Sequence, residues 1–309
     1  MTTMTAERPG RAKLCALVAA CALVAAAACL LAGCSAGSDA STLGDVEGLD
    51  ELGSVSVVAR EEGSGTRSVF SEAAGLIEQD ETGADVDITT AQAEICEDAE
   101  AVIAAVAADE SAVGYVSLAA AQDAEGVKIV AVNGVSPDDE TVQDGSYAIS
   151  RELLIAYSGS ATDAEADFLS YILSAGQEVV ADGYVPVDSV TKFLSDQSSG
   201  TISISGSTTV APLMESLAEA YAELNPNVVI TIEATDSASG LTAAMTQDSD
   251  WGMSSRALET YEDELLASVA IAQDAVAVIV NEDNPVDSLT LDELYLLFSG
   301  EVATWADLA

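Results

Sequence analysis

Ser56-Val57-Val58-Ala59-Arg60-Glu61-Glu62-Gly63-Ser64-Gly65-Thr66 is the stretch on which the fold reading turns. It runs from an apolar β-branched segment, through a Ser/Gly/Thr turn, toward a helix. A second stretch, Ile202-Ser203-Ile204-Ser205-Gly206-Ser207-Thr208-Thr209, repeats the pattern. Each sets hydroxyls and pliant backbone at a helix N-terminus, where free N–H groups and the helix dipole favour anions. Ser and Thr are also the ordinary N-cap residues, so either turn alone reads first as a plain cap.

Outward from these turns, short β-branched runs alternate with helical ones. Val55–Val58, Val86–Thr89, Val113–Val116, Val127–Val132, Ile202–Ile204 and Val228–Ile232 read as strands. Ser68–Ile77, Ala99–Ala108, Ala164–Ser174 and Ala211–Leu224 read as helices, the last with Leu213, Leu217 and Tyr221 one turn apart. Thr290 followed by Glu293 predicts a capping box. Such alternation predicts α/β layers.

The 309 residues hold 53 acidic and 9 basic side chains, a formal charge of −44, which argues against nucleic-acid binding. With no histidine, Ser-His-Asp and Cys-His nucleophilic systems and His-ligated metals are excluded. Gly63-Ser64-Gly65-Thr66-Arg67 lacks the Lys of a nucleotide P-loop and is not a nucleophile elbow. No EF-hand spacing occurs, and most carboxylates in so acidic a chain are solvated surface groups. No cofactor, metal or catalytic residue is therefore expected.

Arg8, Arg11 and Lys13 precede an apolar run, Leu14 to Leu31, that closes on Leu31-Ala32-Gly33-Cys34. This has the parts of a secretory signal, and its last four residues resemble the bacterial lipobox. The expectation is a signal peptide over 1–33, a lipidated Cys34 and a flexible tether over 34–53. Six basic residues then remain: Arg60, Arg67, Lys128, Arg151, Lys192 and Arg256. Three of them stand in Ser/Gly-rich turns. Glu62, two residues after Arg60, would face the same way in extended backbone and hold its guanidinium.

Ser205–Pro212, Gly252-Met253-Ser254-Ser255-Arg256, Val276–Asn281, Asn284-Pro285-Val286, Arg60–Arg67, Val113–Leu118 and Gly183–Val187 together resemble the phosphate-binding proteins of bacterial ABC transporters, the PstS family. The resemblance implies a two-lobe, type II periplasmic-binding-protein-like α/β fold with a hinge of crossing strands. The order differs from the family pattern, in which the Gly-Ser-Thr-Thr half comes first. That implies circular permutation, with Leu194-Ser195-Asp196-Gln197-Ser198-Ser199-Gly200 (194–200) as a flexible joint. A piece of a tandem protein, or halves completed by a partner chain, would give the same order. The implied crossings lie near Val113–Ser117 and Val276–Val280. One lobe would comprise 54–113 with 279–309, the other 114–278.

By motif position, the resemblance nominates Thr208, Thr209, Ser237 and Ser255 on one lobe as phosphate ligands. On the other it nominates Arg60, Ser64, Gly65 and Thr66. Glu62, Asp236 and Arg256 are expected in support. The implied protein is a lipid-anchored, extracytoplasmic, monomeric receptor whose partners are inorganic phosphate, the permease subunits and the membrane. Ser255 stands where some members carry an aspartate that accepts the phosphate proton, with Asp236 as the nearby substitute. A sulfate-like oxyanion is thus the close alternative, and a surface adhesion or signalling protein with the same fold a further one.

Overall fold

The structure is a computed structural model, and it describes residues 43–80 and 82–308. The expected signal peptide and Cys34 lie outside them. The strands are β1 (Ser56–Arg60), β2 (Ile77–Gln79), β3 (Asp85–Asp87), β4 (Glu94–Cys96), β5 (Ala112–Ser117), β6 (Val127–Val132), β7 (Ser150–Tyr157), β8 (Gly200–Ser207), β9 (Val228–Thr235), β10 (Trp251–Ser254), β11 (Ala267–Asn281) and β12 (Ser288–Leu289). The longer helices are α1 (Gly65–Ala73), α2 (Ala99–Ala107), α3 (Asp163–Ile172), α4 (Ala211–Leu224), α5 (Ser237–Thr246) and α6 (Leu291–Ser299).

Strand β11 organises the molecule. Its first part, Ala267–Ala275, pairs antiparallel with β7, in a sheet continuing through β10 and β8 to β9. Its second part pairs with β5 on one side and β6 on the other, in a sheet reaching β1 and β4. Fifteen residues at about 3.3 Å each span roughly 50 Å, enough to serve both sheets. Strands β8, β9 and β10 run parallel to one another in one sheet, and β1, β4 and β5 in the other, while β10 and β5 pair antiparallel with β7 and β11. The carboxyl ends of such strands are where α/β folds bind ligands.

Two large apolar cores lie on either side of this crossing, and Ala156, Leu241, Ala244 and Leu266 form a third, small cluster. The first gathers Phe70, Tyr115, Phe298 and Trp305 with Val113, Val130, Ile149 and Ala275–Val280. Phe70 stacks on Tyr115 at 4.1 Å between ring centroids. The second holds Leu153, Phe168, Tyr221, Trp251 and Ile271, with Phe168 stacked on Trp251. Leu213, Leu217 and Tyr221 of α4 are buried in it, while Glu215, Glu219 and Glu223 stay exposed, as their spacing predicts. Apart from Val185, which packs in the first core, the cores divide the chain within 149–153 and 272–275, where the resemblance implies 113/114 and 278/279. Strand β5 is no crossing, because Val113–Ser117 registers on the first-lobe half of β11. The crossings are β11 and the start of β7.

Two segments expected to be loose are built into the body. Leu43 and Leu49 are buried in the first core, and a short helix covers Leu49–Leu52. The last residues close on this segment, through a Ser54–Thr304 bridge and a Trp305 N–H donated to Gly53 O. Apolar burial thereby fixes 43–53, which composition alone reads as a tether. The 194–200 joint is pinned as well. Ser195 Oγ and Asp196 N donate to the Asp167 carboxylate, and Asn225 Nδ2 donates to Ser198 O. The Thr290–Glu293 capping box is present at α6. Helix α1 starts at Gly65 rather than Ser68, because Ser64 caps it directly.

Candidate functional site

Three turns meet where the two lobes touch: the β1–α1 turn, the β8–α4 turn, and the pair formed by the α5 N-terminus and the end of β10. Arg60, the last residue of β1, is 2% exposed. Its backbone N–H donates to Tyr115 Oη at 3.1 Å, tying the site to the first core. Nε and Nη2 donate to the Glu61 carboxylate at 2.8 Å each, and Nη2 also reaches Glu97 O and, across the cleft, Thr208 Oγ1, both at 3.0 Å. Nη1 bonds none of the described residues.

Glu61, not Glu62, therefore holds the guanidinium. The chain leaves extended geometry at Arg60 and turns over Glu61–Ser64, with Ser64 N donating to Glu61 O, so the two-residue alternation fails there. Glu62 is exposed. Behind Arg60, Arg67 Nη1 donates to Arg60 O and its Nε to Asp87. Burial raises the Asp87 carboxyl, but bonds from Arg67 and Thr89 outweigh it and hold the group below the ordinary carboxylate range.

The opposite wall is a chain of serines. Ser207 Oγ donates to Ser255 Oγ at 2.9 Å, Ser255 N donates to Ser237 Oγ at 3.1 Å, and Thr209 N donates to Ser207 Oγ at 3.3 Å. All three serines are buried. Thr66 Oγ1 meets Thr209 Oγ1 at 3.0 Å across the lobes. Gly65 lies against this wall so closely that a Cβ there would overlap Ser237 Oγ and Ser255 Oγ. Only glycine lets the α1 N-terminus reach the opposing hydroxyls. Ser64 caps α1, its Oγ accepting from Arg67 N at 3.4 Å.

The structure thus brings Arg60, Ser64, Gly65, Thr66, Thr208, Thr209, Ser237 and Ser255 together. Two expected supports do other work. Asp236 caps α5, its carboxylate accepting from Ser239 N at 2.8 Å and Ser239 Oγ at 2.5 Å. It seats α5 on the Gly63 turn, where Ala238 N donates to Gly63 O. Arg256 turns away and forms a two-point pair with Glu262, at 2.7 and 2.9 Å. That bond raises the Arg256 guanidinium; burial opposes charge on Glu262, yet Arg256 and Glu259 N hold it below the usual range.

Sequence reasoning missed Ser207, Glu61 and, above all, Arg151 with Asp274. Arg151 Nε and Nη2 donate to Asp274 Oδ2 at 3.1 and 2.7 Å, both side chains nearly fully buried. Its Nη1 donates to Thr66 Oγ1 at 2.8 Å. The signal was present: a scarce cation heading the apolar run Leu153–Ala156, and a lone acid inside Ala270–Val280.

What this arrangement offers a ligand is a cluster of hydroxyl and guanidinium donors and the N-termini of α1 and α5, whose dipoles favour negative charge. The family model described as "PBP superfamily domain" matches residues 45–175 and 192–309. "Phosphate-binding protein PstS 2" of Streptococcus agalactiae serotype V is 36% identical over 283 residues, covering 90% of this chain and 93% of that protein. The chain belongs to the PstS family. PstS 2 of Streptococcus pneumoniae serotype 4 is 39% identical over 256 residues, covering 82% and 87%. The crystal structure of a phosphate ABC transporter phosphate-binding protein from S. pneumoniae superposes with a TM-score of 0.70 at 38% identity, covering 83% of this chain and all of that one. A match through 93% of a relative keeps one order of segments. The order of the two halves is therefore shared with this PstS protein, and it does not set the chain apart from it as a permutation.

Proposed function

We propose that this protein is a non-catalytic receptor that captures inorganic phosphate between its lobes and delivers it to an ABC transporter permease. The observation that carries the reading is the double bridge across the cleft, Arg60 to Thr208 and Thr66 to Thr209, at the carboxyl ends of β1 and β8. Guanidinium and hydroxyl donors from both lobes suit an anion that lobe closure encloses. The names and titles of the PstS relatives support phosphate as that anion. The chain acts on the outer face of the membrane as a monomer, held by a lipid on Cys34. Cys34→Ala should release it from the membrane fraction; unchanged processing and retention would contradict the anchor.

One observation favours a second reading. With the Asp236 carboxylate engaged by Ser239, the acceptors for a ligand proton among the described residues that line the site are Ser and Thr hydroxyls. A fully deprotonated oxyanion such as sulfate would need none. Calorimetric titration with phosphate, arsenate and sulfate separates the two. Tight phosphate and arsenate binding with weak sulfate binding is expected; the reverse order would establish the second reading.

A further inference from the structure

The Arg151–Asp274 pair sits at the hinge itself. The two residues are direct cross-strand partners of β7 and β11, the strands by which the chain passes between lobes. Ile149 and Ala275 on one side belong to the first core, Leu153 and Ala272 on the other to the second. A charge pair at this depth is poor use of a hinge on stability grounds alone, since an apolar pair of like volume serves as well or better. What the charges add is direction. Arg151 Nη1 donates to Thr66 Oγ1 of the first lobe and lies 3.5 Å from Ser255 O of the second.

A guanidinium has five N–H donors and no acceptor. Thr66 Oγ1 must therefore receive from Arg151, which fills one of its two lone pairs and frees its single O–H proton to turn toward the site, either threonine being able to donate in the Thr66–Thr209 contact. Asp274, bonded to Nε and Nη2, fixes the plane of the guanidinium and so the aim of Nη1.

We propose that Arg151, oriented by Asp274, is a positioning residue that holds the Thr66 hydroxyl in place to donate to the bound anion and ties that hydroxyl to the hinge. The inference rests on the phosphate-receptor reading. Arg60 donates likewise to Thr208 Oγ1, so each of these cross-cleft threonines is held by a guanidinium.

The test is a double-mutant cycle in phosphate affinity, read by calorimetry on the intact protein. Thr66→Val keeps the shape and removes the hydroxyl. Arg151→Lys keeps the charge beside Asp274 but has no planar fork to reach both partners. Thr66→Val should weaken binding about 30-fold and Arg151→Lys about tenfold, and the double variant should match Thr66→Val within about threefold. Multiplied effects, about 300-fold in the double variant, would mean Arg151 does not act through Thr66 and overturn the proposal. So would an Arg151→Lys protein of wild-type affinity. A second pair, Arg151→Met with Asp274→Leu, removes both charges without stranding either. It should fold with wild-type thermal stability or better yet bind phosphate as weakly as Arg151→Lys or worse; wild-type affinity would again overturn the proposal. Wild-type protein that ignores phosphate altogether would instead reject the underlying receptor reading.

Discussion

Arg60 and Gly65 show how little freedom the site leaves to single residues. Arg60 is buried, its backbone bonded to Tyr115 and its side chain shared between Glu61, Glu97 and Thr208. Gly65 faces Ser237 and Ser255 with no room for a methyl group. Because the clash of Gly65→Ala would lie between lobes, the lobes can relieve it by standing apart. Phosphate affinity should then fall at least about tenfold while the melting temperature moves by only a few degrees. Calorimetry and thermal denaturation on that variant check both halves. The motif residues were legible because Ser/Gly/Thr turns between strand and helix are local patterns. Glu61 was not, since the reading assumed extended backbone beyond Arg60. Arg151 and Asp274 were not either. They lie 123 positions apart, and only the register of β7 on β11 joins them.

At the scale of elements, the alternation of short strands and amphipathic helices was readable, and α4 lies on the residues its spacing predicts. The long β11 was legible only in its Val276–Val280 half. Its first half, Ala267–Ala275, mixes Ala, Ser, Gln and Asp, and shows no period until β7 covers it. The 194–200 joint reads as loose from composition, yet one carboxylate gathers it. Asp167 on α3 accepts from Ser195, Asp196, Tyr221 and Asn225. Burial raises the Asp167 carboxyl, but these bonds prevail and hold it below its ordinary value. A carboxyl depressed on folding contributes stability that is present above its unfolded pKa, about 3.9, and is lost as pH falls through the folded value. Melting temperature should accordingly drop as the pH is taken below about 4. Asp167→Asn should be less stable at pH 7 and show a shallower acid decline. Identical acid limbs in the two proteins would remove Asp167 from this account.

For the whole molecule, the two cores, the shared strand β11 and the cross-cleft bonds form one mechanism. In the proposed receptor, each lobe carries part of the donors at its strand ends, and closure about the hinge brings the parts together. The resemblance implied a crossing at β5, and only pairing assigns that strand to the first sheet. A strongly acidic molecule of formal charge −44 repels anions at long range, so capture depends on local donors. Arg60 is the side chain on which that dependence is sharpest, and Lys192, exposed and outside every motif, is its control. Titration of the Arg60→Ala and Lys192→Ala proteins with phosphate is the most direct measurement. Loss of a charged donor from a closed cleft should weaken binding by about 2–5 kcal/mol, roughly 30-fold or more, with Lys192→Ala unchanged. Equal phosphate affinity in the two variants would contradict the account.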